Sequence, residues 1–247
     1  MIAYGIVFLV AAFCNVNGED AYLPSYIKQC SYNDPEFAAC VKQQVVLSLP
    51  QFTKGIPELG VPSIDPISLD DIIIDGNGLK LSLRKAQMHG LSTVHVTDLK
   101  VNLKDESFTL KFVANMSVSG VYNIDGRILV LPIKGDGDCL ILADNTEVEI
   151  SSKLTPVKGK NGEHLKLVTP NYKYQIEKTT FQFKNLFNGN KELADSMHQF
   201  ANANWKQLMD DLAPPVIKQI VRTGVKAINK FFNKVTVQQL INDYPLN

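Results

Sequence analysis

Most functional classes are marked by features that this sequence has little of. Its 25 basic and 25 acidic side chains cancel, and neither sign forms a run. A neutral chain without basic runs lacks the electrostatic footprint of a nucleic-acid binder. No apolar run approaches the ~20 residues that cross a bilayer, so no stable membrane insertion is expected. The chain has four histidines, His89, His95, His164 and His198, and none falls in an H-E-x-x-H arrangement. No G-x-S-x-G elbow is present; Ser117 and Ser119 sit on the polar side of an alternating run, near Gly120. Gly135-Asp136-Gly137-Asp138 looks like a calcium or phosphate loop in outline, but Leu140 stands where a third ligand belongs and no Lys-Ser/Thr follows. It reads as a turn. Cys30 and Cys40 are too far apart for a C-x-x-C redox site. No catalytic residue, metal site or cofactor is expected. A secreted hydrolase, one competing reading, lacks a nucleophile and base.

Charge is also missing from the first 18 residues, Met1 to Gly18, which hold an apolar run from Tyr4 to Cys14 and end in Val16 and Gly18, small residues at cleavage positions. This predicts a signal peptide over 1–18 and a secreted domain over 19–247. An uncleaved anchor is the rival, but the run is too short to span. Three cysteines remain after residue 18: Cys30, Cys40 and Cys139. In an oxidising compartment two are expected to pair. Cys30 and Cys40 are close in sequence, and a bridge there would leave Cys139 as a free, buried thiol.

Hydrophobic residues make up 45% of the chain, ample for a core with some to spare for lining a cavity. Asp34-Pro35-Glu36 predicts a helix start with Asp34 as N-cap. Phe37, Val41, Val45 and Leu49 follow at i, i+4, and Pro50 to Gly55 ends the pattern. From Ile67 to Phe187 the period is two. Leu79, Leu81 and Leu83 alternate with polar residues, as do Val94 and Val96, then Leu99, Val101 and Leu103. The phase slips at Thr97-Asp98, which predicts a bulge. Phe108, Leu110, Phe112, Ala114, Met116 and Val118 form one long face. Asp75 to Gly78, Asp125-Gly126, Gly135 to Asp138 and Lys160 to Gly162 read as turns. Clean alternation predicts an antiparallel sheet with one wet face. The last third carries a helical stripe through Leu193, Met197, Phe200, Leu208, Leu212, Val216, Ile220, Ile228 and Phe231. Read as one helix from Lys191 to Phe232 it would run about 60 Å at about 1.5 Å per residue, kinked at Pro214-Pro215. A short tail follows, with one more helical turn. An apolar sheet face and an apolar helix stripe each need a partner, so the sheet is expected to wrap the helix.

Several segments together resemble the takeout/juvenile-hormone-binding family. Cys30, Asp34 to Phe37, Cys40-Val41-Lys42, Gly55 to Pro62 and Asp65-Pro66 resemble its N-terminal signature. Tyr122, Gly126 to Leu129 and Leu131 to Gly137 are similar to its central motif. Phe187-Asn188-Gly189, Asn204-Trp205-Lys206 and Pro215 to Phe232 are similar to its C-terminal one. The resemblance implies an α+β fold, a highly curved antiparallel sheet wrapped around one long C-terminal helix and enclosing an apolar tunnel. It implies that Cys30 and Cys40 are the family's disulfide. It implies a carrier of juvenile-hormone-like terpenoids, fatty acids or other lipids in haemolymph or another extracellular fluid, with circadian, feeding or hormone signalling as output. The hormone carriers have a second disulfide in their C-terminal half; with no cysteine beyond Cys139, the chain is more similar to the takeout branch.

Candidate tunnel residues are Leu79, Leu81, Phe108, Leu110, Phe112, Met116 and Tyr122 on strands, with Met197, Phe200, Trp205 and Leu208 on the helix. The face of Phe108, Leu110, Phe112 and Met116 is expected to turn toward Met197, Phe200 and Leu208. Tyr122 and Trp205 could present a polar tip to a ligand or pack in the core. Asn115 heads the one glycosylation sequon, Asn115-Met116-Ser117, on the wet side of its strand. A lipid-surface binder or lipid-transfer protein of the same architecture is the alternative function, kept alive by Lys218, Arg222, Lys226, Lys230 and Lys234. Those cations also suit a helix C-terminus.

Overall fold

The computed structural model describes residues 23–168 and 170–245. The expected signal peptide lies outside them. A two-residue strand β1 (Cys30–Ser31) leads into helix α1 (Phe37–Phe52). The helix starts later than Asp34 predicts, because the Asp34 carboxylate accepts from the Glu36 N–H at 2.8 Å and closes a turn of its own. Pro50 falls inside α1, which runs on to Phe52.

The sheet is antiparallel and has nine strands. In chain order they are β2 (Ile67–Ser68), β3 (Ile72–Gly76), β4 (Leu79–His89), β5 (His95–Asn102), β6 (Ser107–Ile128), β7 (Leu131–Gly159), β8 (Gly162–Leu167), β9 (Asn171–Gln175) and β10 (Lys178–Phe183). β10, β7, β6, β4 and β2 lie side by side; β3 adds to β4, β5 to β6, and β8 and β9 to β7. β6 and β7 have 22 and 29 residues, far beyond the usual five or six, and strands of that length must curl. The curling is helped by one-residue irregularities, where an extra residue bends the strand. Pairing shifts between Val96 and Asp98, where the alternation slips phase, and again between Ala114 and Met116 and between Arg84 and Gln87.

Two predicted turns are strand instead. Asp125-Gly126 lies within β6 and Gly135 to Asp138 within β7; the hairpin between them turns at Leu129-Val130. Their glycines answer to close approach rather than to reversal. A Cβ on Gly135 would sit 2.8 Å from the Tyr122 Oη and 3.0 Å from the Leu186 Cα. Asn77-Gly78 is a true reversal, with φ of 53° and 78°, the pair a tight hairpin requires.

The helical third is α2 (Lys191–Ala203) and α3 (Trp205–Phe232). The break falls at Asn204, and α3 continues as helix through Pro214-Pro215. Residues 210, 211, 214 and 215 are all exposed, so carbonyls that lose an N–H partner there meet water. A last helical turn, α4 (Val237–Leu240), feeds β11 (Ile241–Asn242), which pairs in parallel with β1.

Three carboxamides fasten helix to sheet. Asn202 accepts from the Phe181 N–H at 2.7 Å and donates to its carbonyl at 3.4 Å. Asn229 does the same to Leu167, at 2.8 Å each way, and Gln219 to Asp70, at 2.8 and 3.5 Å. Each satisfies the open backbone groups of one strand or strand-flanking residue, which would otherwise invite pairing with another chain. His198 adds a fourth cap: its Nε2 accepts from the Phe183 N–H at 2.9 Å.

Candidate functional site

The concave sheet face, α1 and α3 do not close on one another. They enclose a cavity of about 480 Å³. The i, i+4 stripe of α1, Phe37, Val41, Val45 and Leu49, forms one wall. The strands supply Leu81, Phe108, Leu110, Phe112 and Met116, and α3 supplies Leu212, Val216, Ile220 and Ile228. Side chains alternate across a strand and recur every three to four residues on a helix, so each element offers the space one apolar face.

Of the sequence candidates, Leu81, Phe108, Leu110, Phe112, Met116 and Tyr122 stand on the cavity wall. Leu79, Met197, Phe200, Trp205 and Leu208 do not. Met197 and Leu208 are buried in the main core, and the other three pack against it. For Met197 and Phe200 the reason is the position of α2, which packs on β10; the start of α3, with Trp205 and Leu208, packs on the same core. The cavity begins on α3 at Met209, so the Phe108 to Met116 face meets α1 and the later α3 stripe rather than Met197 and Phe200.

Sequence reasoning did not assign the α1 wall to the site, although its spacing was visible. It also passed over Gly224, a glycine inside an amphipathic helix, where the residue is costly. Gly224 lines the cavity, and a Cβ added there would meet nothing within 4 Å.

Polar groups on the wall are few. The Tyr122 hydroxyl donates to the Lys184 carbonyl at 2.6 Å, and its ring packs edge-on against Phe183. Burial, with Asp136 nearby, pushes it up to about 12. Thr53 donates to the Pro50 carbonyl at 3.3 Å. Cys139 is a free buried thiol, pushed up by burial to about 11, while Cys30 and Cys40 form a disulfide. Among the described residues Lys28 is the one charged residue on the wall. Trp205 presents no polar tip to this space.

The histidines serve the frame. His164 is buried, with Nδ1 at 2.8 Å from the Phe232 carbonyl and 3.1 Å from that of Val235; both partners only accept, so Nδ1 carries the proton. His89 faces the Asp65 carboxylate at 3.8 Å. Among the described residues no three His, Cys, Asp or Glu side chains gather as metal ligands, and no helix is long and apolar enough to cross a membrane. Asn115 is exposed beside the β6–β7 bulge, where its Oδ1 accepts from the Asn145 N–H at 2.8 Å.

The comparisons with known proteins agree with this geometry. The family model for haemolymph juvenile hormone binding protein matches residues 7–242. The circadian clock-controlled protein daywake of Drosophila melanogaster is 31% identical over 217 residues, 82% of each chain. Its counterpart in Drosophila yakuba is 31% identical over 207 residues, 78% of each chain. The crystal structure of Epiphyas postvittana Takeout 1 superposes with a TM-score of 0.81 at 31% identity, covering 87% of this chain and all of that one. The curled antiparallel sheet with its C-terminal helix is thus the fold of hydrophobic-ligand carriers, and the chain belongs to the takeout and juvenile-hormone-binding family.

Proposed function

We propose that the protein is a secreted, non-enzymatic carrier holding one small elongated apolar molecule, of the terpenoid or fatty-acid class, in the cavity between sheet, α1 and α3. The observation that carries this is an apolar space of about 480 Å³ inside an otherwise packed core. An unfilled apolar cavity is costly, by about 24 cal/mol per Å³ where a core has been emptied, so a fold that maintains one has a use for it. Burial contributes about 0.8 kcal/mol per methylene, or ~12 kcal/mol gross for a chain of about 16 carbons. Lost translational and rotational freedom takes back several kcal/mol. The balance suits a Kd between roughly micromolar and nanomolar. The test is displacement of an apolar fluorescent probe from delipidated protein by terpenoids and fatty acids of graded length. Affinity should rise with length and then fall once the cavity is full. Absence of displacement by every member would sink the carrier reading.

Export rests on the leader-like first 18 residues and on the Cys30–Cys40 disulfide, a bond of oxidising compartments. N-terminal sequencing of protein recovered from medium should begin at Glu19. Asn115 is the proposed glycan acceptor, read from the mass before and after glycosidase. The clock-controlled relatives support a circadian output, which the protein's abundance through a light-dark cycle would test.

A second reading, docking on an anionic lipid surface, has one observation in its favour. Lys218, Arg222, Lys226, Lys230 and Lys234 are all exposed, and among the described residues none has a carboxylate within 4.0 Å. Co-sedimentation with phosphatidylserine vesicles, lost in salt, would support it.

A further inference from the structure

We infer that the cavity has a polar end at Lys28 and Gln44, and that its ligands are amphiphiles whose carboxylate head is seated there. The inference rests on the carrier reading and adds to it the class and orientation of the ligand.

The wall is chemically lopsided. Where its hydroxyls lie deep, they are spent within the protein: Tyr122 on the Lys184 carbonyl and Thr53 on the Pro50 carbonyl. Tyr172 and Tyr174, on β9, carry hydroxyls able to donate or accept. Lys28 is different. It is exposed, it stands on the wall, and among the described residues its ammonium has no ion-pair partner.

Gln44 stands beside it, on the cavity side of α1. The Lys28 backbone N–H donates to the Gln44 Oε1 at 2.9 Å. That bond fixes which way the carboxamide points. It occupies the oxygen and leaves the Nε2 donors without a hydrogen-bond partner among the described residues. One turn on, the Ser48 hydroxyl donates to the Gln44 carbonyl at 2.7 Å and is not free to donate again. The Lys28–Gln44 pair therefore offers the two free N–H donors of the carboxamide and a cation, against one remaining lone pair on the Gln44 oxygen. Donors that include a cation favour an acceptor carrying negative charge, and a carboxylate is the anionic head that an apolar chain commonly carries.

The pair is also held in place. Two residues beyond Lys28, Cys30 is bonded to Cys40 on α1 and paired with Ile241 in β11. Between them the Gln29 Nε2 donates to the Gln238 carbonyl at 3.0 Å. A site anchored on both sides loses little freedom when a head group arrives.

The experiment compares palmitate, methyl palmitate and hexadecanol, equal in chain and different in head, as displacers of an apolar probe. The wild type should bind palmitate about tenfold tighter than the ester, as a single charge-assisted contact at a partly wet site allows. Lys28→Met should erase that preference by weakening palmitate about tenfold and the ester far less, and Lys28→Arg should restore it. Gln44→Leu should reduce it. Equal affinity for acid and ester in the wild type would overturn the inference while leaving the carrier reading intact. So would a Lys28→Met variant that weakens acid and ester alike with an unchanged melting curve. Failure of all three to displace the probe would overturn both. Sodium acetate serves as the control for a chainless anion: displacement of bound palmitate by millimolar acetate would show a simple anion site and contradict an amphiphile site.

Discussion

Gly224 offers the cleanest way to fill the cavity without disturbing what surrounds it. It stands inside α3, lines the space, and a Cβ built on it meets nothing within 4 Å. A glycine there costs the helix about 1 kcal/mol relative to alanine. Gly224→Ala should therefore raise stability by up to about 1 kcal/mol and leave binding nearly intact. Gly224→Phe keeps part of that helix gain and projects a ring into the cavity. If the ring excludes about four methylenes of ligand, the loss is ~3 kcal/mol, a factor of roughly 200 in Kd. Longer ligands should suffer more than shorter ones. Probe displacement by fatty acids of graded length gives the affinities, and circular dichroism melting shows that the variant is folded. A Gly224→Phe protein that melts at or above the wild-type temperature and still binds long chains with wild-type affinity would refute the reasoning, because the ligand would have to lie elsewhere.

Removing both Cys30 and Cys40 as serines should cost about 2–3 kcal/mol in urea unfolding, from the freed loop entropy of a ten-residue separation. Tyr122→Phe should cost about 1 kcal/mol, since the buried phenol's 2.6 Å hydrogen bond to the carbonyl of the exposed Lys184 is lost and water can replace it only in part. The Cys139 thiol, with its pKa raised to about 11, is almost wholly protonated at pH 8, and the thiolate is the reactive form. Its alkylation rate should therefore keep rising steeply from pH 8 to pH 10, where an ordinary thiol levels off near 9. Because Cys139 lines the cavity, bound ligand should slow that reaction.

The sequence showed the architecture because alternation and helical spacing are direct images of burial. The Phe108 to Val118 run and the Thr97-Asp98 phase slip translate into β6 and its pairing shift with β5. Glycines misled where they were read as reversals. Gly126 and Gly135 serve close packing against other chain segments, and nothing local in the sequence separates that use from a turn. The expected single helix from Lys191 to Phe232 divides instead at Asn204, where neither proline nor glycine marks the break. The site was harder to read than the fold. A helical stripe says which residues are covered, not whether another side chain or an open space covers them. Met197, Leu208 and Ile220 look alike in sequence, but the first two meet packed protein and the third meets the cavity. Lys28 and Gln44 are joined by a bond across 16 residues that no spacing rule reveals.

The most direct measurement is a crystal structure of the protein saturated with a long-chain fatty acid brominated near its methyl end, with the bromine located by anomalous scattering. One strong peak is expected inside the cavity, between the Leu110 and Phe112 side chains and those of Val216 and Ile220. Bromine found only on the outer surface, with the cavity holding nothing but water, would contradict the account.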